Sequence, residues 1–193
     1  MRFQKTLLAV ALVISSLGVA THAGAGELEN GNKDRKGFLI GFGLGGGMLH
    51  TRGGGATDTR ADFLGDFKIG GGVTEDILLM YDGSFIYTKD GNVNFSIYNS
   101  SFAVQWFPVS NFYIRPGVGF SVSTASASAS GVTVSASSDV SFGADFAAGY
   151  EFRLGKRFAL SPEFIYHFSD IRSSGASLQA HSMGAQASLL WYF

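Results

Sequence analysis

The sequence predicts an all-β fold, an eight-stranded antiparallel up-and-down transmembrane β-barrel. Three observations carry this. Apolar residues alternate with small or polar ones along eight stretches, a period of two that puts each set on its own sheet face. The connections between these stretches alternate short and long. The chain also stops on an aromatic at the end of an alternating strand, Gln186-Ala187-Ser188-Leu189-Leu190-Trp191-Tyr192-Phe193.

Composition agrees. Hydrophobic residues are 46% of the 193-residue chain but charged residues only 15%, against about 25% in ordinary globular domains. No segment after residue 25 approaches the ~20 apolar residues of a membrane helix, so the apolar content must cross as strands. One domain suits the length. The net charge of -1 lacks the basic footprint of nucleic-acid binding. With no Cys, disulfides and thiolate metal sites are excluded. At the start, Arg2 and Lys5 precede an apolar run over residues 7–20 and then Ala23-Gly24-Ala25. That is a secretory signal, an h-region too short to span a bilayer before an A-x-A site. The expected organisation is a signal peptide over residues 1–25, cleaved after Ala23 or Ala25, a periplasmic tail over 26–35, and a barrel over 36–193.

The first strand, about residues 36–49, presents Phe38, Ile40, Phe42, Leu44 and Met48 on one face and Gly37, Gly41, Gly43, Gly45 and Gly47 on the other. The second, 61–72, opposes Phe63, Phe67 and Ile69 to Asp62, Asp66 and Lys68. The third, 77–88, opposes Leu79, Tyr81, Phe85 and Tyr87 to Met80, Asp82, Ser84 and Thr88. The fourth is irregular: Phe95 and Ile97 are out of phase with Tyr98, Phe102, Val104 and Trp106, which predicts a bulge or strand start near Ile97.

The fifth strand, 112–122, turns Phe112, Ile114, Val118 and Phe120 outward and Tyr113, Arg115, Gly117 and Gly119 inward. Its Pro116 has no N–H for a ladder and predicts a local bulge. The sixth, 139–152, opposes Val140, Phe142, Phe146, Tyr150 and Phe152 to Ser141, Asp145 and Glu151. The seventh, 158–168, opposes Phe164, Tyr166 and Phe168 to Ser161, Glu163 and His167. In the closing strand Met183, Ala185, Ala187, Leu189, Trp191 and Phe193 face one way, and Ser182, Gly184, Gln186, Ser188, Leu190 and Tyr192 the other.

Residues 74–76, 108–111 and 153–157 read as short turns. Residues 50–60, 89–96, 123–138 and 169–179 read as longer external links. Phe107, Phe112, Phe152, Phe158, Trp191 and Phe193 then gather at one end as an aromatic girdle. A soluble lipocalin-like barrel would turn apolar faces inward, yet here the inward faces carry Asp66, Lys68, Asp82, Arg115, Asp145 and Glu163. An eight-stranded lumen is just wide enough for side chains to fill it. These charges are therefore expected to form a paired plug, or alternatively to line a narrow ion or small-solute path.

The whole pattern resembles the bacterial outer-membrane β-barrel domain family, the OmpA-like and opacity-type eight-stranded barrels. The resemblance implies a Gram-negative type outer-membrane location, contact with outer-membrane lipid and lipopolysaccharide, and a monomer. It also implies that the barrel-assembly machinery reads Trp191, Tyr192 and Phe193 during biogenesis. His167-Phe168-Ser169 resembles a motif of the outer-membrane lipid A deacylases, whose His and Ser act with a later Glu to attack an acyl ester. Here no Glu follows Glu163, Asp170 stands where that motif has Asn, and both residues fall on the inward face.

Gly41-Phe42-Gly43-Leu44-Gly45-Gly46 satisfies G-x-G-x-x-G without the helix a pyrophosphate needs. His50, His167 and His181 lack metal-ligand spacing. No catalytic residue, cofactor or metal is therefore expected. The Ser/Ala-rich residues 121–138 read as a β-ribbon turning near Gly131 or as a loop. A structural or surface-interaction role leads, a narrow channel comes second, and an outer-leaflet lipid hydrolase third.

Overall fold

The computed structural model describes residues 35–129, 132–173 and 176–193. The expected signal peptide, with its cleavage at Ala23 or Ala25, and all of the expected tail but Arg35 lie outside the described residues.

Period-two patterning yields antiparallel strands throughout: β1 (Gly37–Gly53), β2 (Ala56–Gly72), β3 (Ile77–Asp90), β4 (Val93–Val109), β5 (Phe112–Ala129), β6 (Val132–Ser137), β7 (Ser141–Tyr150), β8 (Phe152–Arg153), β9 (Phe158–Ser173) and β10 (Ala176–Tyr192). From β1 to β5 each strand pairs with its sequence neighbour, and β10 pairs with both β9 and β1, so the sheet closes. β6, β7 and β8 are successive pieces of one stave: β5 pairs β6 above and β7 below, while β9 pairs β7 and β8. The ring therefore has eight staves, and closure leaves no sheet edge within the bilayer.

The faces fall as the alternation requires. Phe102 is 77% exposed on the outer wall, whereas Arg115 is 2% exposed in the lumen. Large apolar residues outside and charges inside are the inverse of a soluble core, and the arrangement defines a transmembrane barrel.

Several local expectations are corrected. The links expected over 50–60 and 89–96 are mostly strand. β1 and β2 meet at Gly54-Gly55, both at positive φ (57° and 80°), a two-residue turn that L side chains would strain. β3 and β4 meet at Gly91-Asn92, with Gly91 at φ 56°. The span 169–179 is likewise strand in β9 and β10 outside residues 174–175. Above the bilayer the hairpins lose their apolar alternation but keep their ladder, so hydropathy hides strands that hydrogen bonding retains. In the Ser/Ala-rich stretch, β5 and β6 pair from Thr124↔Ser137 to Ala129↔Val132, a ribbon.

β4 has no break at Ile97. Its register with β3 is continuous, and Phe95 and Ile97 turn inward to an apolar layer. The register shift between β4 and β5 falls instead between Trp106 and Val109. At Pro116 the β4–β5 ladder is interrupted, its partners running from Ala103↔Gly117 to Trp106↔Ile114 with no shift, as the missing N–H requires. Phe107 leaves the expected girdle: it is 2% exposed and faces inward, while its neighbour Trp106 is 47% exposed outside. The girdle survives in Phe158, Trp191, Phe193 and Phe38, whose rings follow one another at 5.1, 5.0 and 5.6 Å.

Inside, two apolar layers fill the lumen. The outer one contains Leu49, Leu64, Ile86, Ile97, Ala147, Ile165, Ile171 and Ala180. The other, at the end of the barrel that carries Tyr192, contains Leu39, Leu78, Met80, Ala103, Phe107, Tyr113, Ala159, Leu190 and Tyr192. Between them lies the charged waist.

Candidate functional site

Glu163 on β9 is the hub of the waist. Its Oε1 accepts from Lys68 Nζ at 2.7 Å, Gln186 Nε2 at 2.8 Å and Ser188 Oγ at 2.5 Å. Its Oε2 accepts from Tyr113 Oη at 2.8 Å and lies 3.1 Å from Arg115 Nη1. Lys68 also donates to Asp66 Oδ2 at 2.5 Å and to Ser188 Oγ at 2.7 Å. Arg115 Nη2 reaches Asp82 Oδ2 at 3.0 Å and Asp66 Oδ2 at 4.0 Å, and Gln186 Nε2 donates to Asp66 as well. Charge away from water is tolerated where it is paired; the pairing here is incomplete, since Asp66 Oδ1 and Asp82 Oδ1 accept no hydrogen bond from the described residues. Both cations serve more than one carboxylate.

Of the six inward charges read from the sequence, five meet here. The sixth, Asp145, is only half-buried and joins no ion pair among the described residues. It lies across the β5–β7 ladder from Gly117, and a Cβ on Gly117 would stand 2.5 Å from Asp145 Oδ1. Glycine makes room elsewhere too: a Cβ on Gly43 would meet both Asp66 Oδ1 and Ser188 Oγ at 2.5 Å. The glycine-rich first strand is thus explained by crowding, not by a phosphate.

Sequence reasoning missed Gln186, Ser188, Tyr113 and Ser161 as members of the network, although strand parity had already turned each inward. Tyr113 Oη also contacts Ser161 Oγ at 2.8 Å.

It also missed a second polar cluster at the mouth of the barrel next to Tyr192. Arg35, the residue that ends the expected tail, is fully buried there. Its Nε donates to Glu151 Oε1 at 3.1 Å, Nη1 to the Glu75 carbonyl at 3.2 Å, and Nη2 to Asn111 Oδ1 at 2.9 Å and the Ser110 carbonyl at 3.3 Å. The guanidinium carbon lies 3.6 Å from the centre of the Phe107 ring, a cation–π contact. Glu151 accepts further from Tyr192 Oη at 2.5 Å and pairs with Arg153 Nε at 2.7 Å. No hydropathy pattern singles out a lone Arg before the first strand.

Tyr192 therefore faces the mouth, while its neighbours Trp191 and Phe193 face outward. His167 and Ser169 are both buried in the lumen, and Ser169 Oγ donates to Asn99 Oδ1 at 3.0 Å. Neither is presented to a lipid on the outer wall. Among the described residues no group of three or more His, Asp or Glu is disposed to hold a metal ion.

A closed ring of eight antiparallel staves with a filled lumen defines the class of eight-stranded outer-membrane-type barrels, and the comparisons agree at the level of fold. The chain is similar to Neisserial surface protein A, with a TM-score of 0.60 at 14% identity over 82% of this chain and 98% of that one. It is also similar to Ail, the attachment invasion locus protein of Yersinia pestis, with a TM-score of 0.53 at 14% identity over 79% and 99%. No family profile matches the sequence, and no curated protein is significantly similar to it.

Proposed function

We propose that this protein resides in the outer membrane as a non-conducting barrel that acts through its external ribbons and its lipid-facing wall, in a structural or surface-interaction role. The layered filling of the lumen carries this reading. A charge-paired waist lies between two apolar layers, and Arg35 adds a bolt at the periplasmic mouth. A conducting path would need a continuous hydrated column, and packed apolar layers oppose one. Outer-membrane lipid and lipopolysaccharide are the surroundings proposed for the outer wall, with a monomer as the working unit. Recognition of Trp191, Tyr192 and Phe193 by the barrel-assembly machinery is proposed for biogenesis. The inward placement of His167 and Ser169 speaks against hydrolysis of an outer-leaflet lipid. The deciding experiment is conductance of the purified barrel in planar bilayers. A silent wild type is expected, and stable single-channel steps with ion preference would replace this reading with a channel.

A further inference from the structure

The pairing of first and last strands creates a juxtaposition that lies outside both the lumen and the mouth. In the β1–β10 register His50 stands opposite His181, and the next pair on the same outward face is Met48 opposite Met183. Two of the three described histidines and two of the three described methionines thus occupy one two-by-two block. Their sequence separation of more than a hundred residues is why spacing alone concealed it.

The histidines are oriented. Their ring centroids are 6.4 Å apart. His50 Nδ1 bonds to Thr59 Oγ1 at 2.8 Å, and His181 Nδ1 bonds to the Tyr166 hydroxyl at 2.7 Å. Phe168 further fixes the second ring at 5.2 Å. In the tautomer whose Nδ1–H donates to that hydroxyl oxygen, each Nε2 carries the free lone pair of a ligating nitrogen, as when a metal-bound imidazole holds its other ring N–H in a hydrogen bond. Two imidazoles on one ion, with bonds of roughly 2.0–2.1 Å, have ring centres about 5–6 Å apart. The observed 6.4 Å lies just above that range, so the rings must turn toward each other for both Nε2 atoms to reach one ion. Both rings are only half-buried, so an ion could enter from the rim.

We propose that His50 and His181 form an open two-imidazole site for a copper ion at the outer rim of the closing seam, with the Met48 and Met183 thioethers one step below as its soft ligands. Imidazole suits copper and zinc alike, whereas thioether sulfur selects Cu(I). The methionines lie roughly 7 Å along each strand from the histidines, a gap that long, three-torsion side chains can span. The two nitrogens alone leave positions open on the ion, which the two thioethers are placed to fill. The ion would tie the first strand to the last.

The test uses the full barrel, folded in detergent without a polyhistidine tag and titrated with Cu(I) under ascorbate against a colorimetric chelator. Zn2+ is titrated in parallel. One Cu(I) per barrel is expected. His50→Ala and His181→Ala should each weaken it at least tenfold, and Tyr166→Phe about tenfold. A Met48→Leu/Met183→Leu double variant should weaken Cu(I) while leaving Zn2+ unchanged. His167→Ala, in the lumen, should bind copper as wild type does. His50→Asn and His181→Asn repeat the measurement with a polar side chain kept at the rim, and unboiled gel mobility checks folding. Copper binding that survives either histidine change, or Cu(I) affinity indifferent to both methionines, overturns the proposal.

Discussion

Lys68 and Glu163, 95 positions apart in sequence, meet at 2.7 Å and tie β2 to β9 across the lumen. Both side chains are essentially without solvent, at 1% and 0% exposure. Removing one partner of such a pair leaves an uncompensated charge, which typically costs ~3–5 kcal/mol. Lys68→Met should therefore lower the urea unfolding midpoint of the barrel by that order. Lys68→Met/Glu163→Gln should cost less than the sum of the single changes, because the orphaned carboxylate is gone. Strict additivity would show that the two residues do not act as a pair.

Arg115 gives the parallel test from β5. It touches Asp82 and Glu163 at 3.0 and 3.1 Å, so Arg115→Met should destabilise by a similar ~3–5 kcal/mol without opening the lumen. Unfolding midpoints and planar-bilayer conductance are to be read together. An unchanged midpoint with new ion steps would reverse the assignment of the waist as a plug.

The wall should obey its faces. Phe146 and Leu79 are outward at 39% and 51% exposure, and arginine at either should cost ~2–4 kcal/mol near the bilayer midplane. Gly43→Val should be costly for another reason, since even its Cβ would overlap Asp66 and Ser188. Spin labels at Phe142 and Phe146 should be reached by lipid-soluble quenchers, and a label at Ser141 should not.

The closing strand makes the assembly prediction. Phe193 is outward at 57% exposure, its ring 5.0 Å from Trp191 and 5.6 Å from Phe38. Phe193→Lys puts a charge at the lipid-facing end of the seam and should reduce the heat-modifiable folded form on unboiled gels. Deleting the residue should do the same. Normal yields of both would remove the terminal aromatic from the assembly signal.

How much was legible follows from what each residue reports. Strand parity was readable wherever one face meets lipid, and so Asp66, Lys68, Asp82, Arg115 and Glu163 were placed inside correctly. The signal failed where a face is apolar on both sides of the wall. Phe95 and Ile97 looked out of phase because an apolar layer fills the lumen there. It failed again above the bilayer, where polar hairpins keep their ladder without alternating. Cross-strand partners such as Gln186 with Asp66, or His50 with His181, depend on register, and one sequence does not carry the shear of a closed sheet. Arg35 was invisible for a simpler reason: its partners are two carbonyls, an amide, a ring and a carboxylate, spread over the β2–β3 and β4–β5 turns, β4 and the break between β7 and β8.

That last arrangement has a kinetic consequence. Asn111 and Glu151 meet as soon as β5 pairs with β7, where the Glu151 N–H donates to the Asn111 carbonyl at 2.9 Å, but Arg35 precedes β1 and the Glu75 carbonyl belongs to the β2–β3 turn, so the full set is expected only once the sheet has curled. Its full set of contacts is therefore expected to form after the barrier and not within it. Interactions absent from the transition state slow unfolding and leave the folding rate alone. Arg35→Ala should insert and close at the normal speed yet open several-fold faster in denaturant, making one residue outside the strands the latch on the barrel's lifetime.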